Sequence, residues 1–466
     1  MTKDEGRKAE RFVVRLSSFV WIIIAVYLSL GTLYAVKTPA WQVPDEPAHY
    51  NYVRFIAEGR GLPVLQPGDY DQVYLESIKS NKFPPSMPID SIRYESWQPP
   101  LYYVLAAPIY LVTNGSLLAL RLFSVMLGGF VVVLAFSIVH RLAPNSPTLA
   151  LGTAAFVAFV PQHVAMMAGA QNDSLAELLL AMIVFQISDK SQISNEKWVT
   201  IGVLLGLALV TKGTIYIAAP LVAMATWLAY RSLPALRARK WLIKSAALVS
   251  VPALMIALPV WIRNVVVYGW PDFFVVIRHD AVVIGQPTSA EWIAKFGLGG
   301  YLSQFIATTF HSFWGQFGWM GVPMNGRYYG ALAFLSLAAF AGFVWWLIPN
   351  INPPKERGAG FQISNPTARS ENPHLSFDIW HLIFAAWILF AVLLYLGYNV
   401  KYVQFQGRYL FPALIPMGLM FTIGLRQWTT LLPRAWRDAA LAIPFAGLAV
   451  LCLIALFRMI VPMLTP

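Results

Sequence analysis

The chain has 466 residues, of which 58% are hydrophobic and only 12% charged, and its mean hydropathy is +0.58. A soluble domain runs about 45–50% apolar and about 25% charged, so this composition indicates a polytopic membrane protein and excludes the disordered and fibrous classes. The net charge of +12 does not point to nucleic acid, because the basic residues sit at the ends of apolar segments, where membrane topology accounts for them.

The first apolar segment, residues 19–36, follows Lys3, Arg7, Lys8, Arg11 and Arg15 and has no small-residue cleavage site after it. It is expected to be a retained span with a cytoplasmic N-terminus. Further spans of about 20 apolar residues fall at 117–139, 149–166, 174–187, 198–210, 215–230, 246–268, 328–348, 379–398, 409–425 and 439–461. This arrangement keeps Arg141, Lys190, Lys197, the run from Arg231 to Lys244, Lys355, Arg357, Arg369, Arg426, Arg434 and Arg437 on the cytoplasmic side, as the positive-inside rule requires. It needs residues 99–112, broken by Pro108, and residues 301–320, which carry Gln304, His311 and Gln316, to be juxtamembrane helices on the outer side. If those two crossed instead, the basic run at Arg231 would move outside.

The expected fold is therefore an all-α polytopic membrane protein of about 11 (11–13) transmembrane helices. Residues 1–268 form an N-terminal transmembrane module that includes a first outer loop, 37–116. Residues 269–327 form a second outer loop with a juxtamembrane helix. Residues 328–466 supply the C-terminal helices, with a Pro/Gly/Ser/Asn-rich cytoplasmic linker at 349–378. The single cysteine, Cys452, excludes an intramolecular disulfide and a thiolate metal site.

The densest polar constellation is Val43-Pro44-Asp45-Glu46-Pro47-Ala48-His49-Tyr50 in the first outer loop. Asp45 suits a helix N-cap, Pro47 a first turn and Gly59 a stop, which predicts a short helix. Tyr52, Phe55 and Ile56 give that helix an apolar face suited to a bilayer surface. Capping alone would explain Asp45 and Glu46. The later run Tyr94-Glu95-Ser96-Trp97-Gln98-Pro99-Pro100-Leu101-Tyr102-Tyr103 adds a rigid turn and an aromatic helix that can hold a carboxylate at the membrane surface.

Asp173 stands at the same membrane level, as do the cations Lys212, Arg263, Arg327 and Arg408. A charge within a span costs about 2.5–3.5 kcal/mol on insertion scales, so Lys212 and Arg263 require an anionic or cavity partner; for Arg327 and Arg408, beside tyrosines, snorkelling is the bland alternative. Cations gathered around carboxylates suit a ligand that is both lipid and anion, above all a lipid phosphate. A carboxylate next to such a phosphate can take a proton from a hydroxyl nucleophile.

These residues resemble the GT-C superfamily of membrane glycosyltransferases, which includes the protein O-mannosyltransferases and the lipid A aminoarabinose transferases. The resemblance is carried by Asp45-Glu46, by Pro99-Pro100-Leu101-Tyr102-Tyr103, by Arg121-Leu122, by Asn172-Asp173 and by Thr211-Lys212-Gly213, in order along the first half of the chain. Trp261-Ile262-Arg263-Asn264, the Phe313-Trp314 to Phe317-Gly318-Trp319 stretch and Gln406-Gly407-Arg408-Tyr409 are similar to a bacterial branch of that superfamily. Each motif is weak alone; order and topology carry the likeness.

The resemblance implies an inverting glycosyltransferase using a polyprenyl-phosphate-linked sugar donor and a glycan, lipid or protein acceptor. It implies a bacterial plasma-membrane location with the site on the outer face and Asp45 in the position of the catalytic aspartate. In this reading Asp45, Glu46 and Asp173 are the catalytic group. Arg408, Lys212, Arg263 and Arg327 bind the donor phosphate, and His49, Gln98, Tyr102 and His279 orient substrate. The aminoarabinose transferases place Glu-Lys before the paired prolines, where this chain has Trp97-Gln98, so donor and acceptor need not be theirs. A divalent Mg or Mn ion is an optional cofactor, with Asp45, His49 and Asp173 as its candidate ligands. Asp69-Tyr70-Asp71 has the spacing of a nucleotide-sugar metal motif but is discounted on the outer side. The alternatives are a lipid-linked polysaccharide ligase or polymerase, a lipid transporter, and a non-enzymatic lipid-binding membrane protein. The lack of midplane polar clusters and of a Gly-Lys-Ser/Thr phosphate loop argues against the transporter.

Overall fold

A computed structural model describes residues 3–189, 194–231, 235–351 and 379–465. Most of the linker expected at 349–378 lies outside the described residues, with Lys355, Arg357 and Arg369. Among the described residues the architecture is helical, and the one sheet is the two-stranded pairing of Gln316–Phe317 with Val322–Pro323. Eight helices among the described residues are long and apolar enough to cross a membrane: Ser18–Lys37, Leu117–Leu142, Gly213–Arg231, Ala238–Tyr268, Gly326–Ile348, Trp380–Lys401, Gly407–Thr429 and Arg434–Leu464. Each coincides with one of the eleven apolar segments read from the sequence.

The other three segments are also helical but shorter or bent. Residues 149–166, expected as one span, are Pro147–Phe159 and Pro161–Met167, which meet at 64°. Pro161 causes the break, since its ring clashes with the preceding turn and it has no N–H to donate. Asp173–Ile187 and Asn195–Leu209 are 15 residues each. Of the two segments expected beside the membrane, one is the short apolar helix Leu101–Val112. The other is the helix Ser289–Trp314, bent at Gly297, followed by the two-stranded hairpin.

The spans pack closely where side chains are small. A Cβ added to Gly424 would collide with the carbonyl of Ala339, and one added to Gly342 with the carbonyl of Gly424. The helices Gly326–Ile351 and Leu414–Thr429 thus touch backbone to backbone, the packing that small residues permit in lipid. Tyr27, Tyr34, Tyr102 and Tyr103 are fully buried at the heart of the N-terminal half. The Tyr34 hydroxyl donates to the Cys452 carbonyl at 2.7 Å, binding the first helix to the last.

The first long loop folds onto one end of this bundle. Its helix Glu46–Ala57 forms where the Asp45/Pro47 signal placed it, and Gly59 follows its end with φ of 75°. Its aromatic face turns inward rather than toward lipid: Tyr52 is buried and stacks on Tyr103 at 3.7 Å between ring centroids. Asp69 and Asp71 also have structural partners. Asp69 pairs with Arg93 at 2.7 Å, and Asp71 caps the helix Gln72–Ser80 through the Tyr74 N–H.

Candidate active site

Asp45 occupies the N-cap position, yet its side chain caps nothing. Its backbone is left-handed, at φ 68°, a conformation that aspartate tolerates better than most residues. The Asp45 carbonyl accepts from the N–H groups of Ala48 and His49 at 3.1 Å and so starts the helix. The carboxylate is thereby turned away from the helix. Oδ1 accepts from the Tyr94 hydroxyl at 2.8 Å and Oδ2 from Nη2 of Arg408 at 2.7 Å. Burial opposes ionisation of Asp45, but the charge of Arg408 and the hydrogen bonds from Arg408 and Tyr94 outweigh it and hold the carboxyl below its ordinary range.

A second pair stands beside the first. Lys212 Nζ lies 2.7 Å from Asp173 Oδ1. The motifs that carry these residues meet: the Leu101 N–H donates to the Val210 carbonyl at 3.0 Å, and Asn172 Nδ2 donates to the Thr211 carbonyl and to Gln98 Oε1 at 3.3 and 3.4 Å. The paired prolines set Gln98 at the mouth of the Leu101–Val112 helix, where it reaches Asn172. Three motifs far apart in sequence thus form one wall.

Both pairs face a cavity of about 750 Å³, within the range of small-molecule sites. Asp45, His49, Gln98, Asp173, Lys212, His279 and Arg408 all line it. His49 is buried, with Nδ1 2.8 Å from the Tyr103 hydroxyl. Burial and the charge of Lys212 push its imidazole down to about 3, so it is neutral. His279 rests against Trp97, 4.8 Å between rings, and its Nδ1 is 3.2 Å from Asp280. Leu209, Val260, Phe273, Phe274, Leu393 and Leu394 make another part of the lining apolar.

Four expected site residues stand elsewhere. Glu46 is fully buried and outside the cavity lining. Its oxygens take a bidentate contact from Arg121, Nε at 2.8 Å and Nη2 at 2.7 Å, and accept from the N–H groups of Trp41 and Ala170. Arg121 spends its remaining reach on the carbonyls of Ala35, Thr38 and Pro39. Glu46 is a structural knot joining the first span, the first loop and the segment before Asp173, which fixes the backbone next to Asp45. Tyr102 is buried against Ser124, 2.9 Å away. Arg263 donates to the carbonyls of Leu62 and Pro63 at 3.2 and 2.6 Å, so it ties down the first loop rather than facing a phosphate. Arg327 is exposed at the start of its helix and outside the lining.

Glu95 is the site residue that sequence reasoning passed over. It lines the cavity, and its Oε2 is buried with no hydrogen-bond partner among the described residues. Burial, and then the charge of Asp45, push its carboxyl up to about 7. The signal was its place beside Tyr94 in the polar run before the paired prolines, but nothing local shows that Tyr94 binds Asp45.

The candidate metal ligands do not suit a divalent ion in this arrangement. Asp45 and Asp173 each hold a cationic side chain at 2.7 Å. Among the described residues no group of three or more His, Cys, Asp or Glu is placed to hold an ion.

Residues 97–262 match the family described as dolichyl-phosphate-mannose-protein mannosyltransferase. No curated protein matches the sequence. Among solved structures the fold is similar to ArnT from Cupriavidus metallidurans, bound to undecaprenyl phosphate (TM-score 0.50, 14% identity) and in the apo state (TM-score 0.50, 15% identity). Each match covers 96% of this chain and 74% of that one. The oligosaccharyltransferase of Archaeoglobus fulgidus, tethered with an acceptor peptide, is similar at TM-score 0.50 and 12% identity, over 96% of this chain and 55% of that one. The family match is confined to residues 97–262, and the likeness to the solved structures, over nearly the whole chain, is one of fold.

Proposed function

We propose that the protein is an inverting glycosyltransferase that moves a sugar from a polyprenyl-phosphate-linked donor to an acceptor on the outer face of a bacterial plasma membrane. The observation that carries this reading is the pairing of Asp45 with Arg408 and of Asp173 with Lys212 in one cavity. Arg408 also keeps a buried Nε–H without a partner among the described residues. A donor phosphate satisfies that group and the two cations at once. The undecaprenyl phosphate held by ArnT supports the lipid-phosphate class, and the apolar stretch of the lining suits the start of a lipid tail.

The acceptor oxygen attacks the anomeric carbon on the side opposite the phosphate. A new C–O bond forms as the bond from the anomeric carbon to the phosphate oxygen breaks, and the phosphate departs with the bonding electrons. Arg408 and Lys212 stabilise the charge that grows on it. Asp45 receives the proton from the acceptor hydroxyl. Asp173 positions Lys212, and neutral His49 and Gln98 orient the reacting groups. No step is assigned to a metal, because both carboxylates already have cationic partners.

The test is transfer of radiolabelled sugar from a pool of polyprenyl-phosphate sugars to membrane acceptors by the purified protein in lipid nanodiscs. Transfer with inversion at the anomeric carbon supports the reading. Donor binding without turnover, in the presence of crude glycan, lipid and protein acceptors, contradicts it.

A further inference from the structure

Resting on the transferase reading, we infer that Glu95 is the resting place of the proton taken from the acceptor: Asp45 receives it in flight and Glu95 holds it until it leaves to solvent. The observation behind this is a difference between two carboxyls that line one cavity. Asp45 has both oxygens occupied, by Tyr94 and by Arg408. Glu95, next to Tyr94 in the turn Tyr94–Trp97, has Oε2 buried and unpartnered among the described residues. A buried carboxylate oxygen without a donor is costly, and a proton is what relieves it.

The surroundings favour that division. Burial and the negative charge of Asp45 raise the affinity of Glu95 for a proton, while Lys212, Gln98 and Arg408 lower it by less. The other titratable groups in electrostatic reach of Glu95 are the phenols of Tyr94, Tyr103, Tyr398 and Tyr409, which are neutral near pH 7. Asp45, held in the acidic range by Arg408, is a weak base that cannot keep a proton at neutral pH. A carboxyl that titrates near the working pH can both take and release one.

In balance, the acceptor O–H bond breaks as its oxygen bonds to the anomeric carbon, and the proton passes to Asp45. It then moves to Glu95, which returns to the ionised form by losing it to water. Transfer therefore needs Glu95 ionised at the start of the cycle. The rate should rise with pH through about 7 and level off above it, which is the direction set by the raised carboxyl.

The experiment has two arms, both on the full-length protein in nanodiscs. The first is an infrared titration that follows the protonated-carboxyl band from acid to alkaline pH in wild type, Glu95→Gln and Asp45→Asn. A carboxyl titrating near neutrality, present in wild type and lost in Glu95→Gln, is the expected result; its presence in Glu95→Gln overturns the inference. The second is the pH profile of sugar transfer from polyprenyl-phosphate mannose, or from whichever donor of the pool proves active. Glu95→Gln should lower kcat about 100-fold at neutral pH, leave donor KM within about twofold and remove the limb near pH 7. Glu95→Asp should restore part of the rate with a shifted limb. Wild-type-like kcat and an unchanged limb in Glu95→Gln, in an assay where wild type transfers sugar, overturns the inference and leaves the transferase reading standing. If wild type transfers from no donor, that reading fails and the role of Glu95 falls with it.

Discussion

Asp45 Oδ2 lies 2.7 Å from Nη2 of Arg408 across 363 residues of sequence, joining the first loop to the turn Gly407–Ala413 that opens the penultimate span. The contact couples the carboxylate assigned to the acceptor with the cation assigned to the donor. A phosphate bound at this point competes with Asp45 for the guanidinium, so each side of the reaction senses the other.

Replacing Arg408 tests that coupling. Arg408→Ala should weaken binding of a polyprenyl phosphate by about 10-fold to 100-fold, since a charge-assisted contact contributes about 1.5–3 kcal/mol. Arg408→Lys should restore only part of it, because a point charge cannot reproduce the planar fork. Equilibrium binding of radiolabelled undecaprenyl phosphate to the nanodisc-embedded variants is the measurement.

The Glu46–Arg121 knot should matter for stability first. Arg121→Ala leaves a buried carboxylate with no cation, a loss of about 3–5 kcal/mol in comparable buried pairs. Thermal unfolding in detergent should shift down by several degrees, with Glu46→Gln shifting less than Arg121→Ala. An Arg121→Ala protein of wild-type melting temperature would remove Glu46 from its structural role.

The two halves of the Asp45-Glu46 doublet show how far the sequence could be read. Hydropathy and the proline and glycine signals placed the loop helix and the apolar segments, because those are local properties. The doublet also stood out as polar residues in an apolar chain. Which carboxylate faces the cavity depends on Arg121 and Arg408, both distant in sequence. Topology alone put Arg263 and Arg327 at the same level as Lys212, but rotation about the helix axis sends Arg263 to the Leu62 and Pro63 carbonyls. Glu95 was hidden for the same reason: its unpartnered oxygen is a property of the assembled cavity.

Arg327 supplies a contrast to Arg408. Its exposed side chain lies outside the cavity, so Arg327→Ala should leave donor binding and transfer within about twofold of wild type, as surface changes generally fall within about 0.5 kcal/mol. A loss as large as that of Arg408→Ala in the same binding assay would require Arg327 to reach the donor.

His49 gives a pH-dependent stability whose sign is fixed. Burial and Lys212 bring its folded pKa down to about 3, so between that value and about 6.5 the unfolded state binds more protons. Its contribution is present above about pH 6.5 and is lost as the pH falls toward the folded value. His49→Gln should flatten the decline of melting temperature between about pH 6.5 and 5. An unchanged slope would show that His49 is protonated in the folded protein.

Removal of divalent ions should leave the reaction intact. With Arg408 and Lys212 on the two carboxylates, transfer after treatment with a strong chelator should stay within about twofold, the range expected when no metal supplies charge to the phosphate. Abolition by chelator and recovery on adding Mg or Mn would show that an ion displaces those cations in the working state.

The most direct test compares wild type, Asp45→Asn and Arg408→Ala in nanodiscs for both donor binding and sugar transfer. The account predicts that Asp45→Asn binds polyprenyl-phosphate sugar at least as tightly as wild type but transfers at least about 100-fold more slowly, whereas Arg408→Ala binds it about 10-fold to 100-fold more weakly. Transfer by Asp45→Asn at the wild-type rate, in an assay where wild type is active, would contradict it.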